Sequence, residues 1–290
     1  MKSPHPGIVV TGASTGIGEA CAVRLAHLGY RVFAGVRQPA DGERLRAQAG
    51  DRLTWLALDV THPEQVRAAA EQVDRILGAE GLAGLVNNAG IAMGGPLEFV
   101  SLEDLRQQLE VNVIGLLAVT QALLPALRRG RGRIVNMGSI AGRAASPFVG
   151  PYSASKHAVE ALTDALRQEL QPDGIGVSVI EPGAVQTPIW EKGQRAVAAA
   201  RTRFPPEAFV RYGRGLEVLG KLLSAGARRG VPATAVANAV VHALEAKRPR
   251  TRYLVGGDAK LRALFRRLLP DRANDAVLRF FLGRLERRLG

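Results

Sequence analysis

Tyr152 and Lys156 stand four apart in Tyr-Ser-Ala-Ser-Lys, and Ser139 lies thirteen positions upstream, at the end of an apolar run. In a helix, that spacing places the phenol and the ammonium on one face. A cation so near the ring favours the phenolate and lowers the phenol's proton affinity, which makes Tyr152 a candidate acid/base. A hydroxyl from Ser139 beside it would hold the oxygen of a reacting carbonyl or alcohol. A tyrosine four before a lysine also arises by chance, so the pair has meaning only through the elements that position it.

Those elements repeat. From residue 7 to about 181, short β-branched or aliphatic runs alternate with longer helical patterns, the signature of βα units and a parallel sheet. Strands are expected at 7–11, 30–36, 53–58, 83–87, 132–137, 175–180 and 251–255, and helices at 17–28, 63–78, 102–128 and 153–170. Thr61 with Glu64 and Ser101 with Asp104 each place an acceptor and a carboxylate at a helix start. Between 188 and about 232, glycines, Pro205, Pro206 and scattered arginines are expected to break the helical pattern, giving an insertion over the sheet edge.

The first strand runs into Thr11-Gly12-Ala13-Ser14-Thr15-Gly16-Ile17-Gly18 and then a helix. Glycines there allow a tight turn and close approach to a pyrophosphate, while the free N–H groups of the helix start present positive partial charge to it. The spacing is wider than the common dinucleotide fingerprint, and the lysine of an NTPase phosphate loop is missing, which disfavours ATP.

Taken together, the glycine motif, Asp59-Val60, Asn87-Asn88-Ala89-Gly90, Asn112, Ser139, Tyr152 to Lys156 and Pro182-Gly183 resemble the short-chain dehydrogenase/reductase family in order and approximate spacing. The segments 31–37 and 51–60 look similar to its hydroxysteroid and retinol dehydrogenase branch. The resemblance implies an α/β, doubly wound Rossmann fold with a parallel seven-stranded sheet, helices on both faces and a helical carboxyl-terminal extension. It implies an oxidoreductase in which Tyr152 passes a proton to or from the substrate oxygen, Ser139 holds that oxygen, Lys156 bonds the nicotinamide ribose, and Asn112 anchors a water relay behind the lysine. By the same resemblance the dinucleotide lies along Gly12, Ser14, Thr15, Gly16, Ile17 and Gly18, then Asp59 and Val60 at the adenine, and Asn88, Ala89, Gly90 and Val111. Pro182, Gly183, Val185 and Thr187 close over the nicotinamide. No metal is expected.

The second strand ends in Val36-Arg37 with no carboxylate. An acid there would bind the adenosine ribose and repel a 2′-phosphate, whereas a guanidinium pairs with that phosphate. NADP(H) is therefore expected over NAD(H). Met93, Phe148 and Trp190, among few charges, point to an apolar alcohol, ketone or aldehyde of steroid-like, retinoid-like or long-chain type.

With 290 residues, 47% of them apolar, the chain can bury a large core. A single cysteine, Cys21, rules out an intramolecular disulfide and suits a reducing, cytoplasmic setting. The apolar run 111–127 is interrupted by polar residues and reads as a buried helix. The formal charge of +13 divides into −1 over residues 1–190 and +14 over 191–290. Residues 1–257 are expected to form one catalytic domain carrying the 188–231 insertion, and 258–290 a basic amphipathic extension. Leu261, Leu264, Phe265, Leu268 and Leu269 make an apolar stripe there, with Arg262, Arg266 and Arg267 opposite. Sparse aromatics argue against nucleic acid, so 260–289 is expected to meet a second subunit in a homo-oligomer or, peripherally, an anionic membrane. A redox sensor that binds the dinucleotide without turnover, or a membrane-surface interaction protein, is the competing reading. It leaves the acid/base set unexplained.

Overall fold

A computed structural model describes residues 6–187 and 204–286 of the chain. Seven strands form one parallel sheet: β1 (Gly7–Val10), β2 (Arg31–Val36), β3 (Leu53–Ala57), β4 (Leu82–Asn87), β5 (Arg133–Met137), β6 (Gly176–Pro182) and, last in chain order, β9 (Arg252–Val255). Their order is β3-β2-β1-β4-β5-β6-β9, so the winding reverses between β1 and β4. In such sheets a crevice opens at that reversal, beyond the carboxyl ends of the strands.

Both faces of the sheet are covered, which is why its strands read as continuous apolar runs. Alternate residues go to opposite cores: Ile8, Val10, Ala34, Val36, Val135 and Ile180 lie on one side with α1 (Gly16–His27), and Val9, Phe33, Leu56, Leu85, Ile134 and Val177 on the other. The second core is closed by α3 (Pro63–Leu77), α5 (Gly115–Gly130) and α6 (Gly150–Glu169), with Val73, Leu123, Leu127 and Leu166 as its helical contributions. Leu102–Gly130 is long and apolar enough to cross a membrane by length and composition. It contains α4 (Leu102–Leu109), a wide π-helical turn at Glu110–Ile114 and α5, which stacks Leu116, Val119, Leu123 and Leu127 against the protein's own core.

Four features depart from the sequence expectation. A further helix, α2 (Pro39–Ala49), joins β2 to β3; its thinly apolar sequence hides a close fit in which Gly42 leaves room for the Trp55 ring. Thr61 caps nothing: its hydroxyl bonds Asp59 Oδ1 at 2.8 Å, and α3 begins after His62. Ser101 does cap α4, accepting from the Asp104 amide at 3.0 Å. Of the region expected to be broken, 188–203 lies outside the described residues, and Pro206–Arg229 is a continuous helix, α7, because Pro205 and Pro206 fall at its first positions, where no amide is needed.

The short strands β7 (Val185–Gln186) and β8 (Val231–Pro232) pair beside the main sheet, and α8 (Ala233–Glu245) packs on α1's side of it. The fourth departure is in the carboxyl-terminal helices α9 (Gly257–Leu268) and α10 (Asp271–Glu286). The small residues Ala259 and Ala263 form the buried face of α9, against Ile140 and Leu254. Arg262 points inward and donates to the Ala144 carbonyl and the Ser146 hydroxyl at 2.9 and 2.8 Å. Leu261, Leu264 and Leu268 are left at 48%, 49% and 66% exposure.

Candidate active site

At the reversal point, two loops interlock through Thr11. Its hydroxyl accepts from the amides of Asn88 and Ala89, both at 3.0 Å, and the Asn88 carboxamide donates to the carbonyls of Thr11 and Gly12, also at 3.0 Å. Gly12 and Gly16 are left-handed, at φ 61° and 65°. A Cβ on Gly12 would fall 2.7 Å from Ala89 Cα, and one on Gly18 only 2.5 Å from the Asn88 amide nitrogen. Thr15 begins α1 without a side-chain cap, so the first amides of the helix are open to an anion. These residues fit a dinucleotide pyrophosphate. Ser14 differs from the rest of the motif in that its carbonyl is held by the Arg44 guanidinium, whose other arm pairs with Glu19 at 2.5 Å.

Along the same edge, Val36 is buried and Arg37 exposed. Burial pushes the Asp59 carboxyl up, but hydrogen bonds from Thr61 and the charges of Arg37 and His62 outweigh it, so the group lies below its usual value. Val60 packs where a Cβ on Gly115 would sit, 2.6 Å from it, and Val111 lines the same core. On the other side of the crevice, the Ala184 amide donates to Asp258 Oδ2 at 2.8 Å, and Gly183 lacks a Cβ where that carboxylate lies. Asp258 thus fixes the Pro182 to Val185 turn from α9. Thr187 is half-buried, and Trp190 lies outside the described residues.

The end of β5 brings Ser139 to α6. Its side chain lies near enough to the Tyr152 hydroxyl to favour its ionisation, and it accepts from the Ala141 amide at 3.1 Å, so it caps the following turn as well. Gly142 makes the docking possible: a Cβ there would meet the Lys156 carbonyl at 2.8 Å. The Lys156 ammonium lies 5.7 Å from the centre of the Tyr152 ring and donates to the Met137 carbonyl at 2.7 Å. The expected lowering of the phenol by the lysine is not found. Burial pushes Tyr152 above its ordinary value, and the nearby Ser139 hydroxyl offsets only part of that. Lys156 is itself pushed down to about 8 by burial, against the attraction of Glu160.

Asn112 sits in the π-helical turn, and its side chain does not reach the lysine. It donates to the Ile91 carbonyl and to Ser155 Oγ, both at 3.0 Å, and accepts from the Ile91 amide at 2.9 Å. Gln108, one turn earlier and fully buried, accepts from the Met93 amide at 2.7 Å and donates to the Ile91 carbonyl at 2.8 Å. Together they clamp the segment after Gly90. In the sequence Thr11 reads only as the opening residue of the glycine motif, without its role as a stitch, and Gln108, Arg44 and Asp258 were missed; of these three, only Gln108 had a signal, its four-residue step from Asn112.

The same segment carries Met93 towards Phe148. The Gly95 amide donates to the Phe148 carbonyl at 2.8 Å, and Phe148 is held at φ 67°, a conformation large residues seldom adopt. Tyr212 of α7 stands edge-on to Phe99 and Phe148, each with ring centres 6.2 Å apart. Phe204 and Ala208 are buried beside Phe99 and Phe209. This wall is aromatic and aliphatic.

Residues 7–197 match a family described as short chain dehydrogenase. The chain belongs to that family. Retinol dehydrogenase 5 of Mus musculus is 39% identical over 285 residues, covering 96% of this chain and 89% of the mouse protein. An NADPH-dependent 3-dehydrocapnine reductase of Ornithobacterium rhinotracheale is 38% identical, covering 93% and 94%, and 17-beta-hydroxysteroid dehydrogenase type 6 of Bos taurus is 38% identical, covering 93% and 87%. Among solved structures, a short chain dehydrogenase of Burkholderia cenocepacia in complex with NADP superposes with TM-score 0.70 at 28% identity, covering 97% and 99% of the two chains. One from Burkholderia phymatum in complex with NAD gives 0.75 at 30%, covering 92% and 94%. As a short chain dehydrogenase, the protein is an oxidoreductase that interconverts an alcohol and a carbonyl with a nicotinamide dinucleotide.

Proposed function

We propose that this short chain dehydrogenase interconverts an apolar ketone or aldehyde and its alcohol, using NADP(H) in preference to NAD(H), with Tyr152 as the acid/base. The observation that carries the reading is the meeting of three side chains, with Ser139 beside the Tyr152 hydroxyl and the Lys156 ammonium 5.7 Å from the centre of its ring. Bound along the glycine motif, the dinucleotide supplies or accepts the hydride. Ser139 and Tyr152 together hold the substrate oxygen, so donors already in place meet the charge that develops on it. Because burial keeps the phenol protonated near neutrality, Tyr152 stands ready to donate to a carbonyl oxygen, the step a reduction requires. Lys156 holds a positive charge beneath the ring and, once the ribose is bound, orients it.

Arg37 supports the cofactor preference. It is exposed, with no hydrogen bond or ion pair of its own among the described residues, at the end of a strand that carries no acid. Support for an apolar substrate comes from Met93, Phe148, Phe99 and Tyr212, and from relatives named for retinol and hydroxysteroids. We further propose that Leu261, Leu264 and Leu268, in the arginine-rich carboxyl-terminal part, rest on an anionic membrane surface. A second copy of the chain is the competing occupant.

Replacing Tyr152 by Phe removes the proton donor and keeps the ring. Turnover of a panel of apolar ketones and aldehydes is expected to fall by about 1000-fold, as loss of a general acid does, with NADPH affinity nearly unchanged. Comparable rates in variant and parent would overturn the assignment.

A further inference from the structure

One turn beyond Lys156 on α6 stands Glu160, and across from it, at the end of β6, stands Glu181, whose side chain is wholly inaccessible. Two arginines hold their outer oxygens. Arg143, from the turn after β5, donates to Glu181 Oε1 at 2.6 Å. Arg252, from β9, reaches Glu160 Oε2 at 3.2 Å, Glu181 Oε1 at 3.7 Å and Asp164 Oδ2 at 2.6 Å. The remaining oxygens, Glu160 Oε1 and Glu181 Oε2, are buried and have no hydrogen-bond partner among the described residues, while Arg252 draws the two carboxylates together by pairing with both. Two acceptors without a donor between them leave two buried polar atoms unsatisfied, which is costly. One proton placed between them satisfies both.

We infer that Glu160 and Glu181 hold a single shared proton at neutral pH, and that Glu160 is a positioning residue whose remaining charge keeps Lys156 an ammonium. The role rests on the proposed place of Lys156 beneath Tyr152; the shared proton does not. Charged groups face the pair from every side: Arg143 from the β5 turn, Arg252 from β9, and Lys156 and Asp164 from α6 itself. Helix α9 also packs on the β5 turn, but its Arg262 is directed at Ala144 and Ser146. Burial first, and then Glu181, pushes the Glu160 carboxyl up to about 7. Burial pushes Lys156 down to about 8, and Glu160 is the anion that opposes it. With its shared proton in place the pair still carries one negative charge, so Lys156 keeps its proton through neutrality and the alkaline edge of the working range is set by the lysine and the pair together.

Gln at position 160 keeps the size and a donor towards Glu181 but abolishes the charge. In E160Q, Lys156 loses its proton at lower pH, so the alkaline limb of kcat/KM moves towards acid. At pH 8 the rate is expected to fall by about 5-fold, a change that a pKa shift of somewhat under one unit produces, and to recover at pH 6.5. E160D, which keeps the charge, should leave the limb near its parental position. An alkaline limb unmoved in E160Q would overturn the positioning role, even if the variant melted earlier. The proton is read separately, by infrared spectroscopy of the full-length protein without substrate. A protonated-carboxyl band is expected near pH 6.5 in the parent, lost in both E160Q and E181Q. Its absence from the parent would overturn the shared proton whatever the kinetics of Tyr152→Phe.

Discussion

The dinucleotide side of the molecule and its last hundred residues are built on opposite terms. Around β1 and β4 the backbone itself is the binding surface: Thr11 stitches two loops together, and glycines stand where any side chain would collide. The carboxyl-terminal helices instead bury small alanines, turn Arg262 inward and leave leucines outside, in a region of charge +14. The first region is specified by space and tolerates almost nothing; the second is specified by surface character. Substitutions of one atom should therefore separate the two.

Gly18→Ala should have the largest effect. Its Cβ would sit 2.5 Å from the Asn88 amide nitrogen and closer still to the Gly12 carbonyl, so the Thr11–Asn88 stitch has to open. Overpacking of this kind costs about 1–3 kcal/mol, and at the upper end NADPH affinity falls by about 100-fold, as fluorescence titration would read. Gly257→Ala, at the start of α9, meets nothing within 4 Å and should leave binding unchanged. Equal effects at the two glycines would erase the contrast. Arg37→Ala comes next, with about a 10-fold loss of NADPH affinity, in line with a charge-assisted phosphate contact, and little change for NADH. Equal losses for both dinucleotides would count against a 2′-phosphate site.

The same contrast explains what the sequence could disclose. Gly12, Gly16 and Gly18 were legible because no other residue meets those positions, and the β-branched strands because a sheet covered on both faces has to be apolar. Ser139, Tyr152 and Lys156 were legible as residues, but their electrostatics were not. The phenol is governed by burial, which spacing along a helix does not report, and the ammonium is bonded to Met137. Asn112 was found, yet its partners proved to be Ile91 and Ser155, a consequence of the π-helical turn that an α-helical reading conceals. Helix α7 was lost because two prolines read as breakers when they begin a helix. On α9 the residue misplaced is Arg262, expected opposite the leucines and found turned inward beside the small Ala259 and Ala263, which let the helix approach Ile140 and Leu254 closely.

The exposed leucines of α9 carry the final and smallest prediction. Had the leucines been buried, glutamates in their place would unfold the helix; exposed as they are, Leu264 and Leu268 can be replaced at little cost to stability. A variant carrying Leu264→Glu and Leu268→Glu should melt within a few degrees of the parent and retain its turnover. Flotation with vesicles containing anionic lipid should recover the parent and about 5-fold less of the variant, because two apolar contacts are lost and two charges of the vesicle's own sign are added. Loss of a dimer in the variant, with no flotation of either protein, would assign the surface to a second copy of the chain instead. If the variant unfolded, the leucines would be core residues after all, and the division between a region fixed by space and a region fixed by surface would fail at its clearest point.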